Sequence, residues 1–157
     1  AFPTFHSGMA ETSSPSAPLL PRVVLDTNVL LVSLSQRSPY HDLFRALRER
    51  RYTLCLTTSI ALEYEEVVAR HMGRETAEAL MSFLSVARNI AWVHGYYRWH
   101  LIEADPDDGK FVDCAVAAGA AFLVTEDRHF DALQRVPFPR VTVIGVAAFR
   151  EALAVEE

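Results

Sequence analysis

From Arg22 onward, short apolar runs alternate with longer amphipathic stretches. Val23-Val24-Leu25 joins two β-branched residues to a leucine, the pattern of a strand buried on both faces. Residues 27–35 and 40–51 follow with helical spacing, the second marked at its start by Pro39. Residues 53–57 form the next expected strand. Helices over 59–71 and 74–88 and a weak strand over 91–93 come after it. Beyond an acidic loop the pattern predicts a helix over 110–119, a strand over 121–125, a helix over 128–134, a strand over 141–144 and a short last helix. This alternation predicts an α/β fold: a single domain with a parallel sheet of about five strands and helices on both faces.

Residues 1–21 carry no such period. They are rich in Ser, Pro and Thr and read as a disordered tail, whose first residues are foreign to a native start at Met9; residues 22–157 form the domain. A chain of 157 residues, half of them apolar, is long enough for one well-buried core without disulfides. No stretch is apolar enough to span a membrane. Cys55 and Cys114 both lie in apolar runs, which suits buried thiols in a reducing cytoplasm.

Charge sharpens the picture. The formal net charge is −5, which argues against passive coating of nucleic acid, since phosphate binding is driven by Lys and Arg. The signs are segregated, however. Arg45, Arg48, Arg50 and Arg51 crowd one segment, and Asp105, Asp107, Asp108 and Asp113 crowd another. Exposed Arg runs are commonly the solvated face of a helix, and guidance of an RNA backbone is the competing reading for Arg45, Arg48 and Arg51.

In open parallel sheets, ligands bind beyond the carboxyl ends of the strands. Asp26 follows the first expected strand and Asp127 follows the strand over 121–125, although each also suits a helix N-cap. On the helix over 59–71, Ile60, Tyr64, Val67 and His71 mark an inward face, and Glu63 falls on the same stripe. An inward glutamate is costly unless it is ion-paired or bound to metal. Asp108 precedes the inward Phe111 by three residues, with Asp107 beside it, whereas Asp113 points away and suits a solvated rim. Four acids converging without a cation repel one another, and a divalent ion is the usual remedy. Hard oxygen ligands favour Mg²⁺ or Mn²⁺, and the scattered His and Cys give no zinc spacing.

Three stretches in this order resemble the PIN-domain nucleases, particularly the bacterial branch of toxins from toxin–antitoxin pairs. They are Val23-Val24-Leu25-Asp26-Thr27-Asn28, then Ser59-Ile60-Ala61-Leu62-Glu63-Tyr64, then Asp105-Pro106-Asp107-Asp108-Gly109-Lys110-Phe111 continuing to Leu123-Val124-Thr125-Glu126-Asp127. The resemblance covers residues 22 to about 150 and implies a metal-dependent endoribonuclease on a Rossmann-like sheet. It places the family's acids on Asp26, Glu63, Asp108 and Asp127, with Asn28 as the hydrogen-bonding neighbour of Asp26 and Thr125 as a hydroxyl at the edge of the site. Gly109 stands where members often carry Asp or Asn, so a register shift of one would make Asp107 the third ligand. Glu126 replaces a commoner small residue and supplies either an extra carboxylate or none. The resemblance further implies that Asp26, Asp108 and Asp127 hold Mg²⁺ or Mn²⁺, with Glu63 binding through water or orienting the nucleophile. RNA would be cut to 3′-hydroxyl and 5′-phosphate ends. A small antitoxin that occludes the site, a homodimer and a cytoplasmic location complete the expectation.

Two other chemistries fit less well. A haloacid-dehalogenase-type hydrolase needs a second Asp where Asn28 stands, and a receiver domain needs a Lys elsewhere than Lys110. The rival from another class is a non-catalytic PIN-like module that binds RNA or a partner, against which the intact acid quartet argues.

Overall fold

A computed structural model of the chain describes residues 19–155, so residues 1–18 of the expected tail lie outside the described residues. Five parallel strands form one sheet: β1 (Arg22–Leu25), β2 (Thr53–Leu56), β3 (Ile90–Trp92), β4 (Phe122–Val124) and β5 (Val143–Ile144). Their spatial order is β3-β2-β1-β4-β5. The helices are α1 (Thr27–Leu34), α2 (His41–Arg48), α3 (Thr58–Met72), α4 (Arg74–Val86), α5 (Gly109–Ala118) and α6 (Val146–Val155). The α/β class, the parallel sheet and the five strands match the sequence expectation.

The three central strands are buried along almost their whole length. Val23, Val24, Leu54, Cys55, Leu56, Leu123 and Val124 are all fully buried, which is why these segments read as unbroken apolar runs. Crossovers carry the chain from β1 through β2 to β3 in one direction, and from β3 back past β1 to β4 in the other. That reversal sets α5 against β1, β2 and β4. Ion pairing between Arg150 Nε and Asp42 Oδ2 at 2.8 Å joins α6 to α2, and the ring of Phe149 packs edge-on against Tyr52 at 5.1 Å. No helix among the described residues is long and apolar enough to cross a membrane.

Local departures have local causes. The helix expected over 40–51 stops at Arg48, and the chain then turns through Arg50 at φ 59°. The helix expected over 128–134 is a 3₁₀ helix, Arg128–Arg135, capped by the Asp127 carboxylate, which accepts from the His129 N–H at 2.9 Å. β5 is shorter than expected, because only Val143 and Ile144 pair with β4. At the end of α5, Gly119 adopts φ 60°, a left-handed conformation that lets the helix close and the chain enter β4.

One buried bond fixes α3 to the end of β1: the Tyr64 hydroxyl donates to the Leu25 carbonyl at 2.5 Å. Replacing Tyr64 by Phe leaves that carbonyl without this donor and is expected to cost about 1 kcal/mol. Urea denaturation checks this as a lowered midpoint with an unchanged slope; an unchanged midpoint would show that the bond contributes nothing.

Candidate acidic site

The order of strands reverses direction between β1 and β4, and the crevice at such a switch point opens beyond their carboxyl ends. Leu25 pairs with Val124, so the residues that follow, Asp26 and Thr125, emerge side by side. Asp26 N–H donates to the Val124 carbonyl at 3.0 Å, and Thr125 N–H to that of Ile144 at 3.0 Å. Two acids distant in sequence, Asp26 and Asp127, are thereby brought to one sheet edge.

Asp26 occupies the N-cap position of α1 but makes no side-chain cap bond, so capping does not explain it. It is buried, and its Oδ2 accepts from the Thr125 hydroxyl at 2.8 Å. The expected neighbour, Asn28, is exposed and lines a cleft of about 370 Å³ beside Asp26, Glu126 and Asp127. Position explains this: Asn28 lies on the outward side of α1, while Thr125 ends the adjacent strand. Burial raises the Asp26 pKa; the Thr125 bond opposes that rise, and the charges of Asp127 and Glu63 add to it.

Asp108 follows the same logic more strongly. It ends the 3₁₀ turn Pro106–Asp108 and precedes α5 without capping it. Burial and the charges of Asp105, Asp127 and Asp26, opposed by a His129 hydrogen bond, push its pKa up from 3.8 to about 6. His129 Nδ1 lies 3.4 Å from Asp108 Oδ2 and 3.6 Å from Asp127 Oδ1. Ligand atoms of Asp105, Asp108 and His129 all lie within 4.8 Å of one another. Such a set of oxygens with one imidazole suits a hard divalent cation.

Glu63 stands apart from this trio in one respect. The inward face of α3 is Ile60, Ala61, Tyr64 and Val68, with Val67 half-buried and His71 exposed, so the stripe expected from the sequence is rotated by part of a turn. Glu63 is half-buried on its flank. Its Oε2 accepts from the Thr27 hydroxyl, and its Oε1 pairs with Lys110 Nζ at 2.8 Å. Lys110 also pairs with Asp107 Oδ2 at 2.8 Å. Burial opposes the charge on Lys110, but its bonds to Asp107 and Glu63 outweigh that and raise its pKa. The assumption of acids gathered without a cation is therefore corrected: Lys110, at the first turn of α5, neutralises the Glu63 end of the cluster. Asp107, largely exposed, turns toward that lysine, while the Asp108 carboxyl faces His129.

Asp113, Glu126 and the arginines of residues 45–51 complete the comparison with the sequence readings. Asp113 is buried rather than solvated, because loop 94–103 covers that side of α5 and Asp113 Oδ1 accepts from the Trp99 N–H at 2.9 Å. Glu126 Oε1 accepts from the Val146 N–H at 2.6 Å and so holds the start of α6. Gly145 makes this approach possible, since a Cβ there would meet Glu126 Oε1 at 2.9 Å. Arg48, Arg50 and Arg51 precede β2 and lie at the amino edge of the sheet, opposite the acids. Arg48 stacks on Phe44, Arg51 donates to the Leu153 carbonyl, and Arg45 lines a groove with Asp42 and Glu49. Their placement gives them no reach to the acid cluster.

Sequence reasoning missed Lys110, His129, Asp105 and Thr27. The signals were faint but present: Lys110 is the chain's single lysine, three residues after Asp107, and His129 is two after Asp127. Both cysteines are buried and free, and burial pushes the Cys114 thiol up to about 12, which excludes a thiolate nucleophile there.

Comparison with known proteins agrees with this geometry. Residues 22–129 match the family model described as PIN domain. VapBC2 from Rickettsia felis bound to a promoter DNA fragment is similar in structure, with TM-score 0.55 and 19% identity over 79% of this chain and 98% of that one. VapBC from Salmonella typhimurium, bound to DNA, gives TM-score 0.52 at 17% identity, covering 81% and 99%. The RRP44 PIN domain of T. brucei gives TM-score 0.52 at 13% identity, covering 96% and 93%. No curated protein matches the chain in sequence. At such identities the structural likenesses speak for the fold, and the family model for membership: the chain belongs to the PIN-domain family.

Proposed function

We propose that the chain is a metal-dependent endoribonuclease, acting as the toxin of a toxin–antitoxin pair. Membership of a nuclease-type family supports the reaction class. The observation that carries the reading is the buried Asp26 carboxylate, whose described side-chain partner is a neutral hydroxyl, electrostatically coupled to Asp127 and Glu63. Asp26 and Asp127 both raise the Asp108 pKa as well. An arrangement that raises the pKa of two of its carboxylates is poorly stable alone and well suited to a divalent cation.

The donor set fits Mg²⁺ or Mn²⁺. Asp26, Asp108 and Asp127 would hold the ion, with Asp105 and His129 within reach of Asp108. Bound there, the cation supplies charge neutralisation for a phosphodiester and acidifies water. The chain's own residues do the rest. Thr125 fixes the Asp26 carboxylate, and its hydroxyl also accepts from the Asp127 N–H at 3.0 Å, so one side chain sets the spacing of two acids. Glu63, held between Thr27 and Lys110, is oriented as the positioning carboxylate for an attacking water. Lys110 adds a fixed positive charge at the rim, where a phosphate would approach.

Partner and substrate follow from the same reading. Two of the similar structures are VapBC complexes, which supports a protein antitoxin for this chain. An Arg inserted among the carboxylates would satisfy the same charge that the cation satisfies. RNA rather than DNA as substrate, a homodimer and a cytoplasmic setting belong to this proposal.

Replacing Asp26 by Asn is expected to lower Mn²⁺-supported cleavage of single-stranded RNA at least a hundredfold while circular dichroism stays unchanged. EDTA is expected to abolish cleavage by the unmutated chain. Chelator-insensitive cleavage, or an active Asp26→Asn chain, would overturn the proposal, and RNA binding without any cleavage would favour the non-catalytic module.

The raised pKa of Asp108 gives a second test. Because its folded-state value lies above 3.8, ionising it costs stability, and the cost grows as pH rises from about 4 and is complete above about 6. In the absence of metal, Asp108→Asn is expected to melt higher than the parent at pH 7 and equally at pH 4. Added Mn²⁺ is expected to stabilise the parent by several degrees and the variant little. A variant that melts lower than the parent at pH 7 would contradict this electrostatic picture.

A further inference from the structure

Lys110 faces two neighbourhoods. Besides bridging Glu63 and Asp107, it lines a second cleft, of about 280 Å³, with Ser59, Tyr96, Arg98 and His100. The walls come from the start of α3, the first turn of α5 and the segment that follows β3, so this cleft opens on the same carboxyl edge of the sheet as the acids.

The segment reads His94-Gly95-Tyr96-Tyr97-Arg98-Trp99-His100 and belongs to no helix or strand. It is nonetheless anchored, because the buried Asp113 accepts the Trp99 N–H at 2.9 Å. Its rings form a row. Tyr97 meets Trp99 edge-on at 4.7 Å, and Trp99 meets Phe138 at 5.8 Å. The outer two rings are open to solvent: Tyr97 is 70% exposed and Phe138 76%. Arg98 is exposed and makes no close ion pair among the described residues, although its charge acts on the buried Asp113; the acids in the cleft are engaged, Asp107 by Lys110 and Asp113 by the Trp99 N–H.

Exposed rings interleaved with exposed positive charge, on the same sheet edge as the acids, match single-stranded nucleic acid. Bases stack on aromatic faces whatever their sequence, and cations follow the backbone. Rings in a duplex are already stacked on one another and offer no faces.

We propose that residues 94–100, with Phe138, form a platform for single-stranded RNA: a base beside the scissile phosphate stacks on Tyr97 or Phe138, and Arg98 holds the adjoining phosphate. The proposal rests on the ribonuclease reading for its substrate, though its test does not depend on catalysis.

The test is fluorescence anisotropy of a labelled uridine 12-mer RNA with the Asp26→Asn chain in Mn²⁺, with Tyr97→Ala, Tyr97→Phe or Arg98→Gln added. Tyr97→Ala is expected to weaken binding about tenfold, and Tyr97→Phe to restore it, because Phe keeps the stacking face. Arg98→Gln is expected to weaken binding and to reduce the salt slope by about 0.7. Binding of a 12-base-pair duplex RNA is expected to change little with either ring variant. Unchanged single-strand affinity, or equal weakening toward the duplex, would overturn the platform. So would a loss of self-association in sedimentation on Tyr97→Ala without a loss of RNA affinity, which would assign the patch to a second copy of the chain. Cleavage by the unmutated chain is scored separately. Failure there removes the nuclease reading, whereas failure in anisotropy removes the platform alone.

Discussion

The pairing of Leu25 with Val124 at the switch point of the sheet is the constraint on which the rest depends. It sets the ends of β1 and β4 level, so that Asp26 and Thr125 emerge as neighbours and Asp127 follows within reach. A parallel pair shifted by one residue would turn Asp26 toward the opposite face. The apolar runs on either side forbid that shift, since both strands are buried and every alternative would place a carboxylate in the core. Core packing and site geometry thus have one origin.

Electrostatics then divides the acids into two groups. Glu63 and Asp107 are balanced by Lys110, and their end of the cluster is complete within the protein. Asp26 and Asp108 are not balanced in this way: one is held by a hydroxyl, the other faces an imidazole 3.4 Å away, and both have raised pKa values. Beside Asp108, ligand atoms of Asp105 and His129 come within 4.8 Å, close enough to share a cation. Net negative charge, which counts against passive binding of nucleic acid, is partly the charge of this second group.

Much of this was legible in the sequence, for reasons tied to particular residues. Val23-Val24-Leu25 and the run at Leu123-Val124 declare central parallel strands because burial on both faces leaves no polar alternation. Acids at the ends of those runs were conspicuous because a carboxylate after an apolar strand lies at the ligand-binding edge. Less legible was anything set by contacts distant in sequence. Helical periodicity placed Glu63 near the inner face but could not reveal that Lys110, 47 residues later, would meet it. Asp113 read as solvated because its burial comes from a loop without periodicity. For the arginines of residues 45–51 a solvated helix face and guidance of RNA stayed in competition, because sequence gives their density without telling which edge of the sheet they occupy. Cation and ring density on the acid edge comes instead from residues 94–100, in a segment that predicts no element.

The most direct measurement is the titration of the Asp108 carboxyl by carbon-detected NMR, with and without Mg²⁺. Without the ion, its midpoint is expected near 6, set mainly by burial with the charges of Asp105, Asp127 and Asp26 adding to it, so an Asp26→Asn chain lowers it only slightly. With the ion, the carboxyl is expected to stay ionised down to distinctly lower pH. A midpoint near the ordinary 3.8 that ignores Mg²⁺ would show that Asp108 is neither buried among acids nor a ligand for a cation.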